Sequence, residues 1–131
     1  MDFINPSKLE TILKVAREYK PNLIISRIGE NTNKQYLKDN IDPTPYYDNY
    51  IKGLVNVSKN VITTSLFWEF PLIDNMLKKL ADKYNTKYVK IYDLGYQDEN
   101  KAIGLYEHNG VAGHPGNLGM KRIAERILKA I

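Results

Sequence analysis

The chain of 131 residues contains no cysteine, one tryptophan and two histidines. The absence of cysteine excludes a thiolate nucleophile, a disulfide framework and a Cys-ligated zinc site. Long apolar runs are also missing, because no stretch approaches the roughly 20 residues that a transmembrane helix needs. The first residues, from Met1 to Pro6, lack the basic and apolar regions of a signal peptide. We therefore expect no membrane partner, and the localisation of the protein stays open.

The composition is that of an ordinary globular domain, with 43% apolar and 26% charged residues. A chain of this length can bury a core without disulfides. The formal net charge of +4 raises nucleic acid as a partner. However, the basic residues alternate with acidic ones and no recognition motif accompanies them, so we predict solvated helix faces instead. Since no internal repeat or linker interrupts the pattern, residues 1–131 are expected to form one domain.

Apolar periodicity predicts helices and strands in alternation. Ser7 followed by Glu10 is a capping-box pattern, which predicts a first helix that ends before Pro21. The later predicted elements are a strand over 23–28, a helix from Thr44, a strand over 61–66, a helix from Pro71, a strand over 88–92 and a helix over 120–131. This alternation predicts an α/β protein, a three-layer α/β/α fold with a short parallel sheet of about three strands.

Ligands of open parallel sheets bind beyond the carboxyl ends of the strands, where three loops of this chain meet: 29–33, 65–70 and 94–119. In the first loop, Gly29 opens a turn and the amide of Asn31 can donate to a developing oxyanion. A loop Asn is also a common turn former, so this motif alone is weak.

The third loop carries both histidines. His114 stands just before the last helix, a rigid placement that suits a general base. An ordinary solvent-exposed histidine is the alternative interpretation. A metal site built from Glu107, His108 and His114 matches no known ligand spacing, so neither a metal nor another cofactor is predicted.

Taken together, two segments resemble the SGNH hydrolases, the GDSL-type esterases and lipases. The strand that runs from Leu23 into Gly29-Glu30-Asn31 is similar to the family's Gly-x-Asn block. The segment 110–115, followed by Gly119 and an amphipathic helix, is similar to the last block, which carries the catalytic histidine. The resemblance covers essentially the whole chain but only the second part of the family's flavodoxin-like fold.

The resemblance implies a serine acylhydrolase that acts on small-molecule esters, with acylated carbohydrates as one possible class. In that mechanism His114 is the general base that deprotonates a serine, and Asn31 is an oxyanion-hole donor. Gly29 holds the turn that presents Asn31. No cofactor is implied.

The chain departs from the family's pattern in two respects: one residue differs and one sequence block is absent. Val111 stands where the family has an Asp three residues before its histidine, so a backbone carbonyl, Glu107 or Glu69 would have to orient His114. The Gly-Asp-Ser block that supplies the nucleophile is absent from the 131 residues. Ser65 lies near the end of a strand but lacks the sharp turn that exposes such a nucleophile. We therefore expect the chain alone to be inactive.

Two hypotheses of different class follow. In the first, the chain is the C-terminal part of an SGNH hydrolase, and the strand over 23–28 is an open edge that self-associates or pairs with a complementary N-terminal fragment. In the second, the chain is a non-catalytic module derived from that fold, which uses the remaining cleft, with its tyrosines, Trp68 and amides, to bind a sugar or acylated ligand, or which serves only in assembly.

Overall fold

The computed structural model of the protein describes residues 5–32 and 38–131. The helices are α1 (Pro6–Tyr19), α2 (Thr44–Val57), α3 (Pro71–Lys83), α4 (Asn109–Ala112) and α5 (Asn117–Leu128). The strands are β1 (Ile24–Ser26), β2 (Val61–Thr64) and β3 (Lys87–Val89). Helices lie on both faces of one parallel sheet, so the predicted three-layer α/β/α fold is confirmed.

The strand order is β1-β2-β3, and both pairings are parallel. β2 is central, and all four of its residues are buried. β1 therefore has an open side within the described part of the chain, as predicted. Ile24 donates its N–H to the carbonyl of Asn60 at 2.9 Å. Because backbone groups alternate in direction along a strand, the N–H and C=O of Ile25 point toward the open edge.

One face of the sheet carries α1, α2 and α3. Its core is an apolar cluster in which side chains of these helices pack on Val61 of β2 and on Leu66. The buried members from the helices are Leu13, Tyr47, Tyr50, Ile51, Leu54, Ile73, Met76, Leu77 and Leu80. Successive parallel strands joined by helices on one side are the expected result of right-handed crossovers.

Among the long helices of the described residues, α5 alone covers the opposite face. Ile123 and Ile127 of α5 pack with Ile62 of β2 and Val89 of β3. This helix does not extend its cover fully over β1, since Ile25 is 48% exposed whereas Ile62, its partner in the strand register, is 1% exposed. The open edge and the uncovered face thus coincide at β1.

The structure corrects several predicted boundaries. Asn5, not Ser7, caps α1, because its Oδ1 accepts the N–H of Ser7 at 3.0 Å. Each strand is shorter than its apolar run, since pairing with the neighbouring strand ends earlier. The segment predicted as one irregular loop holds α4 and two 3-10 turns, at Tyr92–Tyr96 and Asp98–Asn100. Such short pieces carry no detectable apolar period.

Within residues 5–32 and 38–131, no helix has the length and apolar character required to cross a membrane.

Candidate functional site

The three loops at the carboxyl ends of the strands contact one another. From the loop after β1, Glu30 accepts the backbone N–H of Phe67 at 2.9 Å through its Oε1. From the loop after β2, the Nε1–H of Trp68 donates to the carbonyl of Gly113 at 3.1 Å. A chain of contacts therefore links the Gly-Glu-Asn motif to the segment that carries His114.

The turn after β1 requires glycine at position 29. Gly29 has φ +114°, a conformation that L side chains rarely adopt. A Cβ there would also lie 2.8 Å from Cδ2 of Leu66. The carbonyl of Gly29 accepts the N–H of Thr32 at 2.9 Å, which closes a tight turn around Glu30 and Asn31.

Within this turn, Glu30 and Asn31 have different environments. Glu30 is largely buried and pairs with Arg27 at 3.5 Å as well as with the Phe67 backbone. Asn31 is exposed, and no hydrogen bond from a described residue holds its amide. Asn33, the last residue of the predicted loop, lies outside the described residues. The middle residue of Gly-Glu-Asn thus connects two loops and leaves the Asn31 amide accessible to a ligand.

The backbone of the loop after β2 is hydrogen-bonded to a buried carboxylate. Asp74, in the first turn of α3, is 4% exposed. Its Oδ1 accepts the N–H of Leu66 and its Oδ2 accepts the N–H of Phe70, both at 2.8 Å. The partial positive charge at a helix N-terminus also favours a carboxylate at this position. Trp68 lies in the middle of the clamped segment.

Tyr88 of β3 forms a hydrogen bond with α3 at Asp74, the residue that carries this carboxylate. Its hydroxyl donates to the backbone carbonyl of Asp74 at 3.3 Å. Burial, followed by the negative charge of Asp74, raises the pKa of Tyr88 to about 12. Tyr88 therefore stays protonated and keeps its donor throughout the neutral pH range.

The backbone around His114 is fixed by the preceding turn. The carbonyl of His114 accepts the N–H of Ala102 at 2.9 Å, and Lys101 forms an antiparallel bridge with Pro115. Gly116 donates its N–H to the carbonyl of Asn100 at 2.9 Å. The histidine thus stands on a short, paired segment rather than on a free loop.

The side chain of His114 is oriented by a backbone carbonyl. Its Nδ1 lies 2.7 Å from the carbonyl oxygen of Gly110. Because a carbonyl oxygen can only accept, Nδ1 carries the hydrogen and Nε2 keeps a free lone pair in the neutral ring. This is the tautomer that a general base needs. Of the three orienting groups left open by the sequence, the structure shows the carbonyl, and Val111 is exposed.

His108 uses its ring in the opposite way. Its Nδ1 accepts the N–H of Gly110 at 3.1 Å, which caps the short helix α4. In the neutral ring the hydrogen of His108 therefore sits on Nε2. Both Nδ1 atoms are directed at Gly110, and no group of three or more His, Cys, Asp or Glu side chains in the described part of the chain is placed to hold a metal ion.

The structure adds a direct contact between Trp68 and His114. The ring of Trp68 meets the imidazole of His114 at an interplanar angle of 85°, with the centroids 4.7 Å apart. It is 36% exposed, so one side faces solvent. The sequence placed Trp68 in an aromatic cluster and in the cleft of the ligand-binding hypothesis, but no pattern indicated its contact with His114. Asn31 and His114 themselves are connected through Glu30, Phe67 and Trp68 rather than by a direct hydrogen bond between described atoms.

None of the four serines, all in described segments, is hydrogen-bonded to His114. Ser65 is 1% exposed, and its Oγ accepts the N–H groups of Ile91 and Tyr92 at 2.8 and 3.1 Å while donating to the carbonyl of Leu66. The hydroxyl of Ser7 bonds to Asn5, that of Ser26 to Tyr50, and that of Ser58 to the carbonyl of Asn22. These serines therefore have structural roles, and the structure places none of them as a nucleophile beside His114.

Two concave surfaces lie away from His114 and Asn31. The larger, of about 760 Å³, lies between α2 and α3 and includes Asp48, Met76 and Lys83. A second, of about 440 Å³, lies at the amino ends of the strands and includes Asn60 and Lys87. Neither contains the candidate catalytic groups, so these groups and these cavities are separate features.

No protein-family model, curated protein or solved structure matches this chain.

Proposed function

We propose that the chain is the base-and-oxyanion half of an SGNH-type serine acylhydrolase that cleaves small-molecule esters. The observation that supports this most is the orientation of His114: Nδ1 is held by the Gly110 carbonyl at 2.7 Å, which leaves Nε2 free. The exposed amide of Asn31, in the turn set by Gly29, supports it further. The serine nucleophile is contributed by a segment outside the 131 residues.

The proposed reaction proceeds by acyl transfer. Nε2 of His114 takes the proton of the incoming serine hydroxyl as its oxygen attacks the ester carbonyl, and the amide of Asn31 donates to the resulting oxyanion. His114 then returns the proton to the leaving alcohol as the ester C–O bond breaks. A water molecule repeats the sequence on the acyl-serine, which releases the acid and regenerates the serine.

The group that orients the base is neutral. A hydrogen bond to an ionised acceptor is roughly twice as strong as one between neutral groups. The carbonyl of Gly110 therefore stabilises the imidazolium form of His114 less than a carboxylate would. We expect a functional but slower base than one backed by an Asp side chain.

The missing segment enters at the open edge of β1. A strand that pairs there in parallel would end at the same carboxyl edge as β1, beside Gly29 and Asn31. It would pair with the outward N–H and C=O of Ile25 and cover the exposed side chain of that residue. The proposed partner is thus an N-terminal strand-turn-helix fragment that carries Gly-Asp-Ser.

The test begins with the coding DNA upstream of Met1. A Gly-Asp-Ser segment is expected there, either in frame with the chain or in one of the other two reading frames. The chain alone and the chain extended by that segment are then assayed on a short-chain aryl ester. We expect turnover by the extended protein and none above buffer by the chain alone. Upstream DNA without such a segment, or an extended protein without turnover, overturns the proposal and favours a non-catalytic module.

The open edge has a separate test. The chain alone is expected to self-associate at high concentration, since an unpaired strand edge recruits another strand. Ile25→Lys places a charge on the uncovered face beside this edge and should shift the protein to monomer. Leu72→Lys, at an exposed apolar residue of α3, is the matched control and should leave association unchanged. Size-exclusion chromatography with light scattering that finds a stable wild-type monomer would count against this interface.

A further inference from the structure

We propose that Trp68 is a positioning residue for His114 and holds the imidazole in the tautomer and ring orientation of a base. The proposal rests on the proposed function in so far as His114 is the base. Among residues 5–32 and 38–131, no carboxylate forms a hydrogen bond or ion pair with His114, so its orientation depends on the Gly110 carbonyl on one side and on Trp68 on the other.

Trp68 reaches His114 by two contacts at once. The Nε1–H donates to the carbonyl of Gly113, which fixes the peptide unit directly before His114. The indole ring itself meets the imidazole at 85° and 4.7 Å. An edge-to-face aromatic pair favours the paired orientation by about two- to tenfold, in addition to the effect of the area that it buries. Rotation of the imidazole away from the Gly110 carbonyl would give up this contact as well as the hydrogen bond.

The orientation of Trp68 is in turn set from the core. Phe67, the residue before it, is fully buried against the α5 side of the sheet and meets the indole edge-on at 5.8 Å. Asp74 clamps the backbone on both sides of Trp68 through Leu66 and Phe70. The indole is therefore presented by a rigid segment, which is the condition for a side chain that orients another.

The experiment is ¹⁵N NMR of the histidine rings in the full chain, which distinguishes a hydrogen on Nδ1 from one on Nε2. For wild type we expect His114 as the Nδ1–H form and His108 as the Nε2–H form. Trp68→Leu removes both contacts and should lower the Nδ1–H to Nε2–H ratio of His114 by about tenfold, the scale of one net hydrogen bond. Trp68→Phe keeps an aromatic ring and should restore part of the ratio, while His108 stays unchanged in both.

A folded Trp68→Leu variant with the wild-type ratio at His114 overturns the proposal. If that variant does not fold, fluorescence of the unmutated indole decides, because Trp68 is the sole tryptophan. His114→Ala should change its emission and His108→Ala should not; emission that is unchanged in both variants also overturns the proposal. Neither readout needs hydrolysis, so an inactive extended protein with a Trp68-dependent ratio would sink the proposed function and leave this inference standing.

Discussion

The two histidines lie six positions apart in one loop, and both bond to the same residue, yet they present opposite chemistry. His108 accepts the N–H of Gly110 through Nδ1, whereas His114 donates to the C=O of Gly110 through Nδ1. His108 is thereby used as a helix cap and offers a donor at Nε2. His114 offers a lone pair there. The partner of one ring nitrogen thus decides whether the other nitrogen donates or accepts.

The largest expected effect separates the histidines by activity. In the extended, serine-containing protein, His114→Ala should lower kcat for a short-chain aryl ester by about 10²–10⁴-fold, the usual contribution of a general base. His108→Ala should stay within about twofold, because that ring only caps a four-residue helix. Equal losses of kcat in the two variants would contradict the different roles assigned to His114 and His108.

A second prediction concerns Asp74, which binds the backbone on both sides of Trp68. Asp74→Ala leaves the N–H groups of Leu66 and Phe70 without their acceptor, at about 1–3 kcal/mol for each buried group. We expect the free energy of unfolding in urea to fall by about 2–4 kcal/mol. Asp82→Ala, at an exposed position on the same helix, should cost less than about 0.5 kcal/mol.

The same pair of variants also tests whether Asp74 acts on His114 but not on His108. In Asp74→Ala the ring tautomer of His114 should become mixed, because Trp68 is no longer held, while His108 should keep its own. A stability loss at Asp82 as large as that at Asp74 would show that the buried clamp is not the cause.

The smallest predicted effect reverses which histidine is disturbed. A Cβ at Gly110 would lie 2.9 Å from Cε1 and 3.1 Å from Nδ1 of His108, and it would not touch His114. Gly110→Ala should therefore displace the ring of His108 and change stability by less than about 1 kcal/mol, since the residue is helical and Ala favours helix. The ¹⁵N spectrum should change for His108 alone; a change at His114 would contradict the assigned contacts.

Much of the fold could be predicted because it depends on periodicity. The apolar run that starts at Leu23 and the β-branched run at Val61 predicted two strands, and Pro71 predicted the start of a helix; all three are present. Strand ends and caps were less accurate. They depend on pairing and on single hydrogen bonds, such as that from Ser7 to Asn5, which an apolar pattern does not report.

The site could be predicted only in part. His114 and Asn31 were named from motifs, and their loops do follow strands at one end of the sheet. The contacts that connect the loops join residues 37 and 45 positions apart, and no local pattern encodes them. Likewise, an unspecified backbone carbonyl was one of three orienting groups considered, and only the structure identifies it as that of Gly110, because every residue has a carbonyl and the local backbone path decides where it points.

The two faces of the sheet are completed at different times during synthesis. The helices on one face are all synthesised before residue 84, whereas Ile62, Val89 and Ile91 await a helix that begins at Asn117. A growing chain emerges N-terminal end first. The first face can therefore collapse during translation, while the second stays bare until the last helix leaves the ribosome.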